Sequence, residues 1–207
     1  MEKFFPSLRR LAVIAAVFLT SFAGSCWDIG GETPCSPTDP SCGGSPAPSS
    51  RALSVPFIQQ QTQLWCWAAT SEMIFRYYGV PASQCQLVST YLNRQCCTGD
   101  PSCVVASGNM QTIQQGLLVV GGVRSTYLLR PLTFDEVASE ISAGRPIMLA
   151  YRGSFAGHVV LLTGYDRTTG LVRILDPNYG VIDVPFGATF SYGGQLIWTE
   201  TLVGITR

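Results

Sequence analysis

The rhythm of hydrophobic positions changes near the middle of the chain. Residues 67–78 contain no Gly or Pro, and Ala69, Met73, Ile74 and Tyr77 recur at helical spacing. That pattern predicts a helix with one buried face, stopped at Gly79. A cysteine-bounded loop is expected through Cys103, followed by a short helix over 111–119. Thr133 and Glu136 form a T-x-x-E capping box that opens a further helix ending at Gly144. Beyond Pro146 the apolar runs shorten and fill with β-branched and aromatic residues, over 147–151, 158–165, 171–175, 181–184 and 196–203. Turn chemistry in Asp166-Arg167-Thr168-Thr169-Gly170 and Asn178-Tyr179-Gly180 separates them, so these runs read as strands. Helices first and strands later predict an α+β domain with an antiparallel sheet.

The N-terminus follows a different pattern. Lys3, Arg9 and Arg10 precede an apolar run over 11–19, and the small residues of Ala23-Gly24-Ser25-Cys26 follow it. This is the layout of a secretory signal, and the run is too short for an ordinary membrane span. Residues 1–25 are therefore expected to direct export. The residues before Cys26 also resemble a bacterial lipobox, with Ala23 where a larger aliphatic residue is usual. Two outcomes follow from one signal: a lipid on Cys26 that anchors the protein at the cell envelope, or simple secretion. Residues 26–52 carry Pro34, Pro37, Pro40, Pro46 and Pro48 among glycines and serines without periodicity, which reads as a linker. The folded domain is expected over 53–207.

Composition narrows the function classes. Apolar residues make up 46% of the 207 and charged residues 13%, which excludes a disordered chain. Zero net charge, with no basic run after Arg10, excludes nucleic acid as the expected partner. Eight cysteines in an exported chain point to disulfides. Cys26 is set aside for the lipid and Cys66 for chemistry. That leaves Cys35, Cys42, Cys85, Cys96, Cys97 and Cys103, an even set whose pairing the sequence does not fix. Cys96 and Cys97 are adjacent and are expected to take different partners. Zinc binding by Cys85, Cys96, Cys97 and Cys103 is the competing reading; an oxidising compartment and the lack of a CxxC pair weigh against it.

Cys66 stands where the 67–78 helix starts. A helix N-terminus favours the thiolate, the nucleophilic form of cysteine, through its unpaired N–H groups and macrodipole. The bland alternative is a buried half-cystine. A nucleophilic cysteine needs a base, and His158 is the only histidine in the chain. It opens an apolar strand, behind Gly157, which leaves the imidazole accessible. A third group should orient the ring. If the strands over 158–165 and 171–175 pair across the turn between them, Asp176 returns opposite or diagonal to His158. Asp166, at the turn itself, stands some ~25 Å away at about 3.3 Å per residue. Asn178 is a weaker alternative orienter, and ordinary turn chemistry is the bland reading of Asp176-Pro177-Asn178. An oxyanion hole needs donors. The Cys66 N–H is one, and any glutamine of Gln59-Gln60-Gln61-Thr62-Gln63 can supply another.

These segments resemble a known family. Leu64-Trp65-Cys66-Trp67-Ala68-Ala69, preceded by Val55-Pro56 and glutamines, is similar to the nucleophile segment of bacterial papain-like cysteine peptidases. That group includes secreted effectors and, more distantly, bacteriocin-processing peptidases. Gly144-Arg145-Pro146, Gly157-His158-Val159-Val160, Gly164-Tyr165-Asp166 and Leu175-Asp176-Pro177 follow in the family's order. The resemblance implies a papain-like fold, with an N-terminal catalytic helix packed on a C-terminal antiparallel β-sheet. It also implies Cys66 as nucleophile, His158 as base, Asp176 as orienting acid and Gln60 as oxyanion donor, with Gln61 one residue away as the alternative. His158 and Asp176 follow Cys66 more closely than the about 130–150 residues of papain and the cathepsins, and the C-G-S-C approach to the nucleophile is missing. A compact relative is expected.

The implied chemistry is hydrolysis of peptide bonds through a Cys-His-Asp triad, with a protein or peptide substrate and no metal or organic cofactor. Two rival readings remain. The same triad can transfer the acyl group to an amine or a thiol, and a papain-like surface module can keep the fold for binding, presenting the cysteine-rich insert.

Overall fold

The chain divides into two units, 1–44 and 45–207. The computed structural model describes residues 48–104, 107–154, 156–191 and 195–207. The readings placed on the export signal, on Cys26 and on Cys35 and Cys42 lie outside the described residues.

Two apolar runs make the centre of the second unit. They become β3 (Ile147–Arg152) and β4 (Gly157–Asp166), whose residues are almost all buried. Burial on both faces explains why these runs read as continuous rather than alternating. One face, with Met148, Ala150, Val159 and Leu161, packs under α1 (Cys66–Tyr77), α2 (Gln84–Leu92) and α3 (Met110–Gly121). The other, with Ile147, Leu149, Val160 and Leu162, packs on Val137, Ala138 and Ile141 of α4 (Phe134–Ser142). Thr133 and Glu136 close the expected capping box at the start of α4.

The remaining strands extend this pair on both sides. They are β1 (Ser50–Ala52), β2 (Arg124–Leu128), β5 (Leu171–Asp176), β6 (Gly180–Pro185), β7 (Phe190–Ser191) and β8 (Gln195–Thr206). The sheet runs β2-β8-β3-β4-β5-β6, with β1 on β4 and β7 on β8, and each pairing is antiparallel. The α+β papain-like architecture expected from the sequence is therefore present. β1, at the end of the stretch read as linker, pairs Ser50 with Asp166.

Three local features differ from the pattern reading. The cysteine-bounded loop contains α2, opened by a Ser83–Gln86 capping box that was legible as S-x-x-Q. β2 pairs β8 on only one side, and its Arg124-Ser125-Thr126 start carries no apolar signal. Burial in α1 is not confined to one face: Cys66 through Phe75 are all buried, because α2, α3 and β4 enclose the helix. A fully buried Phe75 alone removes enough apolar surface to contribute about 1.5–3 kcal/mol.

Candidate active site

α1 begins at Cys66, and Trp65 supplies no capping side chain. The sequence Trp65-Cys66-Trp67 holds this end of the helix in place. Trp65 Nε1 donates to the Cys103 carbonyl at 3.0 Å, tying the approach to the cysteine-rich segment. Thr70 Oγ1 lies 2.8 Å from the Cys66 carbonyl and 3.2 Å from the Val159 carbonyl. That buried hydroxyl joins the first turn of α1 to β4 one residue beyond His158. Nothing in the sequence distinguishes it from an ordinary helix threonine.

Cys66 is the free cysteine among the described residues. Cys85 pairs with Cys97 and Cys96 with Cys103, so the adjacent cysteines do take different partners. All four thiols of the alternative zinc set are consumed in these bonds.

His158 and Asp176 come together through the β4–β5 ladder. Leu161 pairs with Leu175, which sets Asp176 level with Val160 and diagonal to His158; a bulge between Leu162 and Gly164 adjusts the register. His158 Nε2 lies 2.9 Å from Asp176 Oδ1. Asp176 is completely buried, and the same oxygen accepts the backbone N–H groups of Asn178 at 2.9 Å and Tyr179 at 3.3 Å. The expected turn chemistry and the contact with the imidazole therefore meet on one atom. Phe190 meets the His158 ring edge-on at 6.4 Å and Tyr151 at 4.7 Å, which shelters the pair from water. Asp166 instead accepts the Thr168 and Thr169 N–H groups at the hairpin turn.

Burial by itself would lower the His158 pKa. Hydrogen bonds to Asp176 and to Cys66, and their negative charges, outweigh it and push the pKa up to about 9. At neutral pH the imidazole is therefore cationic beside the cysteine. Burial, and then the charge of Asp176, hold the Tyr151 hydroxyl well above its ordinary value.

Both groups face a cleft of about 1110 Å³. Gln60 and Gln63 line it; Gln59 and Gln61 do not. Gln60 Nε2 donates to the Thr62 and Gln63 carbonyls, each at 3.0 Å, and its backbone N–H donates to the Pro177 carbonyl at 2.9 Å. An amide nitrogen has two hydrogens, so both are engaged with the turn, and a substrate oxygen must share or displace one of them. Tyr91 of α2 and the 107–110 segment form a further wall, and Gly108 lies so near the Trp67 ring that a Cβ there would meet it at 2.8 Å.

No curated protein matches the chain by sequence. Solved structures share its fold. One, described as a C39-like peptidase from Bacillus anthracis, has a TM-score of 0.51 at 17% identity and covers 76% of this chain and 98% of its own. The peptidase domain of Streptococcus ComA, a bi-functional ABC transporter involved in a quorum sensing pathway, reaches a TM-score of 0.52 at 13% identity, with coverage of 73% and 97%. At these identities the likeness is one of fold. The family model of the Peptidase_C39 like family matches residues 52–191. An unpaired cysteine at a helix start, a cationic histidine beside it and a cleft that both line accord with that match: the chain belongs to the Peptidase_C39 like family and is a cysteine peptidase.

Proposed function

We propose that the protein hydrolyses peptide bonds with Cys66 as nucleophile, His158 as acid and base, and Asp176 as the group that orients the imidazole. The reading is carried by His158, bound through Nε2 to buried Asp176 and raised to a pKa of about 9 in contact with Cys66. With Nε2 committed to Asp176, Nδ1 serves the thiol. The Cys66 thiolate attacks the substrate carbonyl and the carbonyl oxygen takes the negative charge. The Cys66 N–H and Gln60 Nε2 stabilise that oxyanion, Gln60 by giving up one of its turn hydrogen bonds. His158 then passes its proton to the leaving amine. Water, deprotonated by the imidazole, releases the acyl group from sulfur.

The test is selective labelling. A thiol-reactive epoxide should modify Cys66 in the folded protein, with loss of peptide cleavage in step. Cys66→Ala should retain the fold and lose cleavage by at least about 10³-fold. Turnover surviving in a folded Cys66→Ala variant would sink the mechanism.

The protein is further proposed to act outside the cytoplasm, either secreted or held by a lipid on Cys26. The two disulfides, Cys85–Cys97 and Cys96–Cys103, support an oxidising compartment. Cell fractionation with Cys26→Ser separates the two fates: a lipid-anchored protein leaves the membrane fraction, whereas a secreted one is unaffected.

A further inference from the structure

The cleft contains one fixed positive charge whose purpose the proposed triad does not explain. Arg152 ends β3 and pairs with Gly157 at the start of β4. Among the described residues that line the cleft it is the only Lys or Arg, and none of them is Asp or Glu. Its side chain is 46% exposed. Nε donates to Glu200 Oε1 at 2.7 Å, and Glu200 is itself buried and held from its other oxygen by the Tyr127 hydroxyl at 3.0 Å. That anchoring fixes the guanidinium through Nε alone. Among the described residues, Nη1 and Nη2 have no hydrogen-bond partner. Nη1 lies 3.8 Å from where a Gly157 side chain would begin, so the glycine leaves that edge uncovered toward the cleft.

The geometry points to Arg152 as a specificity-determining residue that receives a substrate carboxylate on the leaving-group side of the scissile bond. A guanidinium fixed by one carboxylate with its remaining N–H groups presented to solvent matches the planar geometry of a second carboxylate. Its position supplies the side. Gly157 precedes His158, which hands its proton to the leaving amine, so the substrate beyond that amine passes over Gly157 and Arg152. This last step rests on the proposed roles of Cys66 and His158. The carboxylate can belong to an Asp or Glu side chain or to the free C-terminus of a short peptide; both present the same chemistry. A structural brace to Glu200 is the alternative role, and it needs Nε only.

Small electrophiles test the assignment without a known substrate. N-chloroacetyl-glycine, its amide, N-chloroacetyl-glutamate amide and N-chloroacetyl-glutamine amide place their reactive carbon at sulfur and extend toward the leaving-group side. The second-order rate of Cys66 alkylation by each is read by mass spectrometry on the full chain. The acid should react about tenfold faster than its neutral partner in at least one of the two pairs, the low end for a charged hydrogen bond because Glu200 offsets part of the guanidinium charge. A preference within the glycine pair identifies the C-terminal carboxylate; one within the Glu/Gln pair identifies the side chain. In Arg152→Gln the ratio should fall below about twofold, and in Arg152→Lys it should be intermediate, with thermal melting used to show that both variants are folded. A ratio near one in the wild type, or one unchanged in a folded Arg152→Gln protein, overturns the assignment while leaving Cys66 as nucleophile. Failure of Cys66 to react with any of the four overturns the nucleophile reading, and this inference with it.

Discussion

Replacing Asp176 by Asn isolates the charge of the carboxylate from its shape. The asparagine carbonyl can stand where Oδ1 stands and still accept from His158 Nε2 and from the Asn178 and Tyr179 N–H groups. What disappears is the negative charge. A hydrogen bond to a charged group contributes about 1.5–3 kcal/mol and a neutral one about 0.5–1.5, so the imidazolium loses roughly 1–1.5 kcal/mol of stabilisation. At about 1.36 kcal/mol per pH unit the His158 pKa should drop by about one unit, from about 9 to near 8. His158 is the only histidine, so one imidazole resonance reports its titration directly in the full chain. The alkaline limb of kcat/KM should move with it, because the neutral ring cannot protonate the leaving amine.

The same shift acts on stability. The folded pKa of about 9 lies above the ordinary 6.5, so the contribution is complete below pH 6.5 and is lost as pH rises through 9. Unfolding free energy should therefore decline across that window in the wild type, by roughly 3 kcal/mol at most, and by less in Asp176→Asn. A wild-type midpoint near 6.5, or an Asp176→Asn midpoint that does not move down, would refute the coupling of His158 to Asp176 and Cys66.

Two other perturbations probe how the cleft is built. A Cβ on Gly108 would stand 2.8 Å from Trp67 Cδ2 and 3.1 Å from Ile113 Cγ1. Gly108→Ala should therefore cost about 1–3 kcal/mol of stability and raise KM more than it lowers kcat, read from denaturant melts and steady-state kinetics. Equal stability and KM would show that the 107–110 wall does not bear on Trp67. Replacing Cys96 and Cys103 together by Ser opens a short loop and should destabilise by about 2–3 kcal/mol. Because Trp65 is held by the Cys103 carbonyl, alkylation of Cys66 should also slow; an unchanged alkylation rate would separate the disulfide from the site.

The sequence by itself settled the features that depend on local pattern. The α1 start, the α4 capping box and the β3, β4, β5 and β8 runs were legible because periodicity and capping act over a few residues. The proximity of His158 and Asp176 was legible for the same reason, since one hairpin register connects them. Tertiary structure decided what long-range packing controls. It chose the Cys85–Cys97 and Cys96–Cys103 pairing, and it wrapped α1 on all sides rather than one. It also set Thr70 between the nucleophile helix and β4, engaged both Gln60 amide hydrogens in its own turn, and brought Arg152 to the cleft with Glu200 behind it. These contacts join residues far apart in the chain or depend on how a loop is pinned. No short-range rule carries that information, because their geometry exists only after the helices have closed over the sheet.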